Sequence, residues 1–187
     1  MSIHTRRGDK GSTDLFSGER LKKSDIQVEA YGVIDEANSW LGLARVKNKY
    51  SDLNSLILSI QHKLFVVGAQ LASLSKKPTE IIQQKDVDFL EEKIEELEKE
   101  VSIKGFIIPG DSELGSLLDI VRTIIRRAER KIIMTQEIKN IHFDIKLLKY
   151  INRLSDLLFM MSRVADRRFI IKSVTYKVRS ILQNEEK

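Results

Sequence analysis

The apolar residues of this chain recur at steps of three and four over most of its length. That spacing places them on one side of a helix and predicts amphipathic helices. Five are predicted, over residues 25–47, 52–75, 86–103, 112–136 and 143–168. Helices of this length with short connections pack together as bundles. The expected fold is therefore all-α: a five-helix antiparallel bundle.

The two ends of the chain lie outside this pattern. Residues 1–24 are rich in glycine, small polar and basic residues and are predicted to be extended or looped. In residues 169–187, Val174, Tyr176 and Val178 alternate as in a strand, although a sixth helix fits as well. We expect one domain over residues 1–187, with the bundle at 25–168, a segment before it and a tail after it.

Composition excludes several classes of site. There is no cysteine, which rules out disulfides, zinc–thiolate sites, iron–sulfur clusters and a cysteine nucleophile. The three histidines are scattered, so no metal site built from protein side chains is expected. No run of 18 apolar residues predicts a membrane span, and the first residues lack the apolar core of a signal peptide. We expect a cytoplasmic protein that does not bind membranes.

Three arginines form a row on the fourth predicted helix. Arg122, Arg126 and Arg130 stand at i, i+4 and i+8, on one face, with Glu129 in the same turn. Arginine binds phosphate and carboxylate groups bidentately, so an anion opposite the row would offset its self-repulsion. A solvated basic flank explains the row equally well. The formal net charge of +5 also suits an anionic partner, but nucleic-acid binding is not expected, because neither interleaved aromatic residues nor a helix-turn-helix is visible.

Two further features add polar groups. Asn152 and Asp156 lie one turn apart on the fifth helix and would lie beside the arginine row if the two helices pack antiparallel. They would contact a ligand or an arginine there, or Asn152 would only pair the helices. The N-terminal sequence TRRGDKGST resembles a phosphate-binding loop in composition, but it lacks the Walker spacing and also fits a flexible terminus.

Four blocks of sequence carry a more specific signal. TRRGDKGSTDLFSGERLKKSD, VEAYGVIDEANSWLGLA, FIIPGDSELGSLLDIVRTIIRRAER and YINRLSDLLFMMSRVAD occur in this order. Together they resemble the ATP:cob(I)alamin adenosyltransferases of the PduO type, over residues 5–167. The resemblance implies a homotrimeric five-helix bundle of the ferritin-like kind, with active sites between subunits. It also implies transfer of the 5′-deoxyadenosyl group of ATP to reduced cobalamin, with release of triphosphate.

The resemblance implies roles for individual residues. Asp35 would pair across the interface with Arg122, and these two with Arg126 form the implied catalytic set. Phe106 would lie beneath the corrin ring, with Asp156 as a supporting corrinoid residue; without the family, Phe106 would be a core residue of an apolar loop. The implied ATP-binding residues are Thr5, Arg6, Arg7, Gly8, Thr13, Lys23, Arg126, Glu129, Arg130 and Asn152.

The same resemblance implies the partners, and this chain departs from the family pattern at two positions. Mg²⁺ would accompany ATP, and a reductase and an adenosylcobalamin-dependent mutase are expected as partner proteins. Family members often have a second glycine where this chain has Asp111, and a histidine where it has Asp119. A difference in corrinoid affinity is expected from both. The alternative function is a non-catalytic helical bundle that binds and delivers a corrinoid.

Overall fold

Five helices account for most of the chain in the computed structural model, which describes residues 4, 6–76 and 78–185. The all-α five-helix bundle predicted from periodicity is confirmed, with a small hairpin before it. Most boundaries lie within a few residues of the predicted ones. The elements are β1 (Ser12–Asp14), β2 (Arg20–Lys22), α1 (Ile26–Lys47), α2 (Ser51–Leu71), α3 (Gln84–Glu98), α4 (Glu113–Lys139) and α5 (Ile145–Glu185).

Local capping explains where the helices begin. The Asp25 carboxylate accepts a hydrogen bond from the backbone N–H of Gln27 at 2.9 Å and so caps α1. Ser112 caps α4 in the same way, because its hydroxyl accepts from the backbone N–H of Gly115 at 3.0 Å. Such caps satisfy backbone donors that have no partner within the helix. The start of α4 is therefore fixed by a side chain, which matters for the site described below.

Helix α4 lies at the centre of the bundle, between α1 and α5. Helix α2 packs on α1, and α3 packs on α5. Ion pairs at both ends show that α1 and α4 run antiparallel: Lys139 lies 2.8 Å from Asp25, and Lys47 lies 2.9 Å from Glu113. Because α4 is covered on two sides, its apolar residues are buried against both neighbours: Leu118, Val121, Ile125, Ala128 and Ile132.

One neighbouring pair of helices runs in the same direction. Arg153 of α5 lies 3.0 Å from Glu91 of α3, and further along α5 Arg168 lies 2.6 Å from Glu100, just after the end of α3. The residue numbers rise together, so α3 and α5 are parallel. The connection between α3 and α4, residues 99–112, begins and ends beside the same part of α5, because Glu100 pairs with Arg168 and Ser112 with Asp166.

The N-terminal hairpin was not predicted, although the segment was expected to be extended. Strands β1 and β2 pair antiparallel, with Thr13 opposite Leu21. Leu15 is buried beneath the hairpin. In the loop between the two strands, Glu19 accepts a hydrogen bond from the backbone N–H of Ser75 at 3.0 Å, and Ser17 accepts from the N–H of Leu74 at 3.0 Å. The hairpin is thus attached beside the end of α2.

This attachment has a predicted pH dependence. Hydrogen bonds from Ser17 and Ser75 lower the pKa of Glu19 from 4.5 to about 2. Because the carboxylate is the form that accepts them, the attachment is complete above pH 4.5 and is lost as the pH falls towards 2. We expect the Glu19 carboxyl signal to titrate near pH 2 by NMR, and the Leu74 and Ser75 amides to exchange faster in Glu19→Ala. A midpoint near 4.5 would contradict the attachment.

The end of α5 corrects the sequence prediction. The fifth helix was expected to stop at residue 168, with a strand or a separate sixth helix after it. Instead α5 continues without interruption to Glu185. Residues 169–185 contain no glycine or proline that would end it, and the β-branched residues that suggested a strand are exposed along the extension. Within the described residues, no helix is long and apolar enough to cross a membrane.

Candidate functional site

The polar residues singled out on the fourth and fifth predicted helices lie along one surface, the α4–α5 face. It comprises Arg122, Arg126, Glu129 and Arg130 of α4 with Asn152 and Asp156 of α5. The pairing of α4 with α5 is antiparallel, as shown by Asn152 lying against Glu129 while Ser112 lies against Asp166. The helical spacing and the antiparallel packing together align the two sets of side chains.

A cavity of about 280 Å³ opens in this face. Arg122, Arg126 and Asp156 all line it, together with the aromatic ring of Phe159. Its opposite side is formed by α3 and the connection that follows, through Ile94, Glu98 and Ile103. The cavity therefore combines two arginines and two carboxylates with apolar walls, which suits a ligand that carries both polar and apolar parts.

The hydrogen bonds on the face differ in part from those expected. Asn152 Nδ2 donates to Glu129 Oε1 at 3.0 Å, so Asn152 does pair the two helices. Its amide oxygen takes no part in that bond. Asp156 forms an ion pair with Arg153, three residues earlier on α5, at 3.1 Å, although it borders the same cavity as Arg122 and Arg126. Arg126 and Arg130 have exposed side chains that project from the face.

Behind the face lies a buried network of charges that links α4 and α5. Arg122 Nε donates to Asp119 Oδ1 at 3.0 Å, and the other oxygen of Asp119 pairs with Arg163. Arg163 also lies 3.2 Å from Asp166. Ser112, the cap of α4, donates to Asp166 Oδ1 at 2.6 Å. Burial raises the pKa of Asp166, against the lowering effect of Ser112 and Arg163.

Phe106 lies in the connection between α3 and α4 and is fully exposed. The alternative in which it fills the core of an apolar loop is therefore wrong. Its neighbour Ile108 is also largely exposed. These two exposed apolar side chains make the connection a candidate contact surface for another molecule.

Asp35 lies on a second surface, formed by α1 and α2. It is exposed and lines a cavity of about 500 Å³ with mostly apolar walls. Phe16, in the loop between β1 and β2, and Phe65 of α2 border this cavity. It shares none of its described lining residues with the cavity of the α4–α5 face. Within one chain, Asp35 and Arg122 therefore border different cavities.

The remaining predicted residues belong to the N-terminal segment. Thr5 lies outside the described residues. Arg7 lies 3.1 Å from Asp14 of β1. The Gly8 Cα is so close to Lys23 that an added Cβ would lie 3.2 Å from Lys23 Nζ. Arg6 lies in the same segment, and Thr13 lies within β1 of the hairpin.

Three residues of the site were not identified from the sequence: Phe159, Arg163 and Asp166. A signal was present, because Arg163 and Asp166 interrupt an otherwise apolar stretch of α5 at a spacing of three. Charged residues are rarely buried unless they are paired. Their partner Asp119 had been noted only as a departure from the family pattern.

A family model and several known proteins match this chain over most of its length. Residues 3–165 match the family model described as cobalamin adenosyltransferase. The corrinoid adenosyltransferase of Bacillus subtilis (strain 168) is 40% identical over 187 residues, covering 97% of this chain and 95% of that protein. A corrinoid adenosyltransferase of Citrobacter freundii is 39% identical over 168 residues, covering 88% of this chain and 94% of that protein.

A solved structure agrees in fold. A variant PduO-type ATP:corrinoid adenosyltransferase from Lactobacillus reuteri, complexed with cobalamin and ATP, superposes with a TM-score of 0.81 at 37% identity. The match covers 89% of this chain and 91% of that chain. Sequence and architecture agree over nearly the whole length. The chain belongs to the cobalamin adenosyltransferase family.

Proposed function

We infer that this protein transfers the 5′-deoxyadenosyl group of ATP to the cobalt of a reduced corrinoid and releases triphosphate. The observation that carries the inference is the row Arg122, Arg126 and Arg130 on a face that opens into a partly apolar cavity. Binding a triphosphate needs the arginine row, and binding a macrocycle needs the partly apolar cavity. Membership of the family supports the same assignment.

The reaction requires little chemistry from the protein side chains. Cobalt(I) supplies an electron pair that forms the bond to C5′, while the bond from C5′ to the triphosphate oxygen breaks and its electron pair leaves with triphosphate. Neither a general base nor a protein nucleophile is required. What the protein contributes is alignment, because holding two reactants in line supplies roughly 7–11 kcal/mol of the barrier.

The leaving triphosphate gains negative charge in the transition state. Arg126 and Arg130 project from the α4–α5 face and would bind its oxygens bidentately. Lys23 and the backbone N–H groups around Gly8 would contact other phosphate oxygens from the N-terminal segment. Glu129 and Asn152, hydrogen-bonded to each other at 3.0 Å, would contact the nucleoside.

Mg²⁺ would be held mainly by the triphosphate. Among the described residues there is no group of three side chains able to hold a metal ion. Mg²⁺ is commonly bound by one or two carboxylates together with substrate phosphates. The ion would neutralise charge on the phosphates.

The site lies between subunits of a homotrimer on this proposal. The predicted residues of one chain are divided between the α4–α5 face and the surface that carries Asp35. Facing surfaces of two copies would bring Asp35 of one chain to Arg122 of another. A reductase would supply cobalt(I), and an adenosylcobalamin-dependent mutase would consume the product. Because ATP and reducing power are both available in the cytoplasm, we place the reaction there.

Phe106 is assigned to the reduction step. An exposed aromatic side chain beneath the corrin ring would displace the lower axial ligand, and loss of that ligand makes cobalt(II) easier to reduce. For Phe106→Ala we expect a loss of at least tenfold in turnover from cobalt(II) and a smaller loss from chemically prereduced cobalt(I). Anaerobic assays started from each state measure this. Equal losses in the two assays would exclude the role.

The rival function is corrinoid binding and delivery without chemistry. Anaerobic incubation with ATP and cobalt(I) cobalamin separates the two. The enzyme converts the corrinoid spectrum to that of the adenosylated form and releases one triphosphate per corrinoid. Corrinoid binding without triphosphate would establish the rival and overturn the proposal.

A further inference from the structure

We propose that Asp119 is a positioning residue for Arg122 and that Arg163 holds Asp119 in place. The inference rests on the proposed function, since it concerns an arginine of that site. It extends the site inward, to side chains that no substrate would touch.

The geometry of Asp119 is the first step. Its two carboxylate oxygens serve different arginines: Oδ1 accepts from Arg122 Nε at 3.0 Å, and Oδ2 pairs with Arg163. A carboxylate held through both oxygens has little freedom to rotate. The direction of the Arg122 guanidinium is therefore set by Asp119, and that of Asp119 is set by Arg163.

The far side of the network reaches the backbone. Arg163 lies 3.2 Å from Asp166, and Asp166 accepts a hydrogen bond from Ser112 at 2.6 Å. Ser112 in turn accepts from the N–H of Gly115 and caps α4. The chain of contacts thus starts at a fixed helix end and finishes at Arg122. Side chains locked in this way hold a site in its working geometry.

Burial explains why the network is rigid. Asp119, Arg163 and Asp166 are only 5%, 4% and 4% exposed. Buried charges cost free energy unless they are paired, so each member holds the next. The charges of the set balance, because the carboxylates of Asp119 and Asp166 are matched by two guanidinium groups. One guanidinium belongs to Arg163 and the other to Arg122.

Arg122 itself stands at the boundary between the network and the cavity. Its side chain is 26% exposed and lines the cavity, and its guanidinium lies 5.9 Å from the centre of the Phe159 ring. Arg163 stacks on the same ring at 5.4 Å. Asp119 uses Nε, which leaves the two terminal nitrogens directed away from that bond. These are the atoms that would meet a phosphate or a facing carboxylate.

The test uses Asp119→Asn, which keeps the size of the side chain and removes its charge. We expect kcat for adenosyl transfer to fall about 10- to 100-fold, as for a misplaced catalytic group. In an Arg122→Ala background the same change should cause no further loss in kcat. An equal fractional loss in both backgrounds would overturn the proposal, because a purely structural defect does not depend on Arg122.

An NMR measurement keeps this test independent of the proposed function. The Arg122 Nε–H signal should be protected from exchange in the unsubstituted protein and lose protection in Asp119→Asn. Unchanged protection would overturn the positioning role, whereas lack of adenosyl transfer by the unsubstituted protein would overturn only the function. If Asp119→Asn does not fold, Arg163→Lys replaces it, with the same expected direction in both readouts. Ile132→Val, a buried change elsewhere on α4, should lower the melting temperature and leave kcat unchanged.

Discussion

Replacing Arg126 by alanine should lower the rate of adenosyl transfer about 100- to 1,000-fold. Arg126 lines the cavity of the α4–α5 face, and on the proposed function its guanidinium would bind the departing triphosphate. The side chain is exposed, so its loss removes little packing, and the fold should persist. Initial rates of adenosylcobalamin formation under anaerobic conditions measure the effect, with the helical circular dichroism signal as the check on folding.

Lys131→Ala is the matched control for this substitution. It also removes one positive charge from α4, but Lys131 pairs with Glu29 of α1, on the other side of the helix from the site. Its rate should stay within about twofold, since exposed ion pairs contribute little. If Arg126→Ala kept the unsubstituted rate, the arginine row would not bind the leaving group. The assignment of the α4–α5 face would then fail.

The second large effect is on stability, at Gly115. A Cβ at this position would lie 2.0 Å from Asp166 Oδ1 and 2.9 Å from Ser112 Oγ, so alanine must displace Asp166. Arg163 then loses one of its two buried carboxylate partners. Breaking a buried ion pair costs about 3 kcal/mol or more. For a chain of this length, that is a fall of about 6–12 °C in Tm.

Gly32→Ala provides the comparison for Gly115→Ala. Gly32 lies within α1, and a Cβ there meets no atom within 4 Å. Alanine favours a helix interior over glycine by up to about 1 kcal/mol, so this variant should be slightly more stable. Denaturant unfolding at one protein concentration measures both. Equal midpoints for the two variants would show that Asp166 is not held as the structure indicates.

Periodicity alone located the helices, because each buries one stripe of apolar residues against a neighbour. The spacing also showed that Arg122, Arg126 and Arg130 share a face, and antiparallel packing placed Asn152 beside it. The end of α5 was mispredicted because β-branched residues alternate after residue 168. Strand propensity depends on a partner strand, and the described structure places none beside this segment.

The sequence pattern could not predict the buried contacts between helices. That Asp119 meets Arg163, 44 residues later, depends on the register between α4 and α5. Register is set by the packing of whole helices and not by any local motif. The small hairpin was missed for a similar reason, since its two strands of three residues each are too short to give a period.

The central place of α4 couples the site to the stability of the bundle. Four residues of the site sit on a helix that packs against both α1 and α5. Exposed Arg126 and Arg130 can be exchanged with little loss of packing, whereas exchange of Arg122 leaves the buried Asp119 without one of its partners. Redesign of the site without loss of the fold therefore has most room at the two exposed arginines and in the loop that carries Phe106.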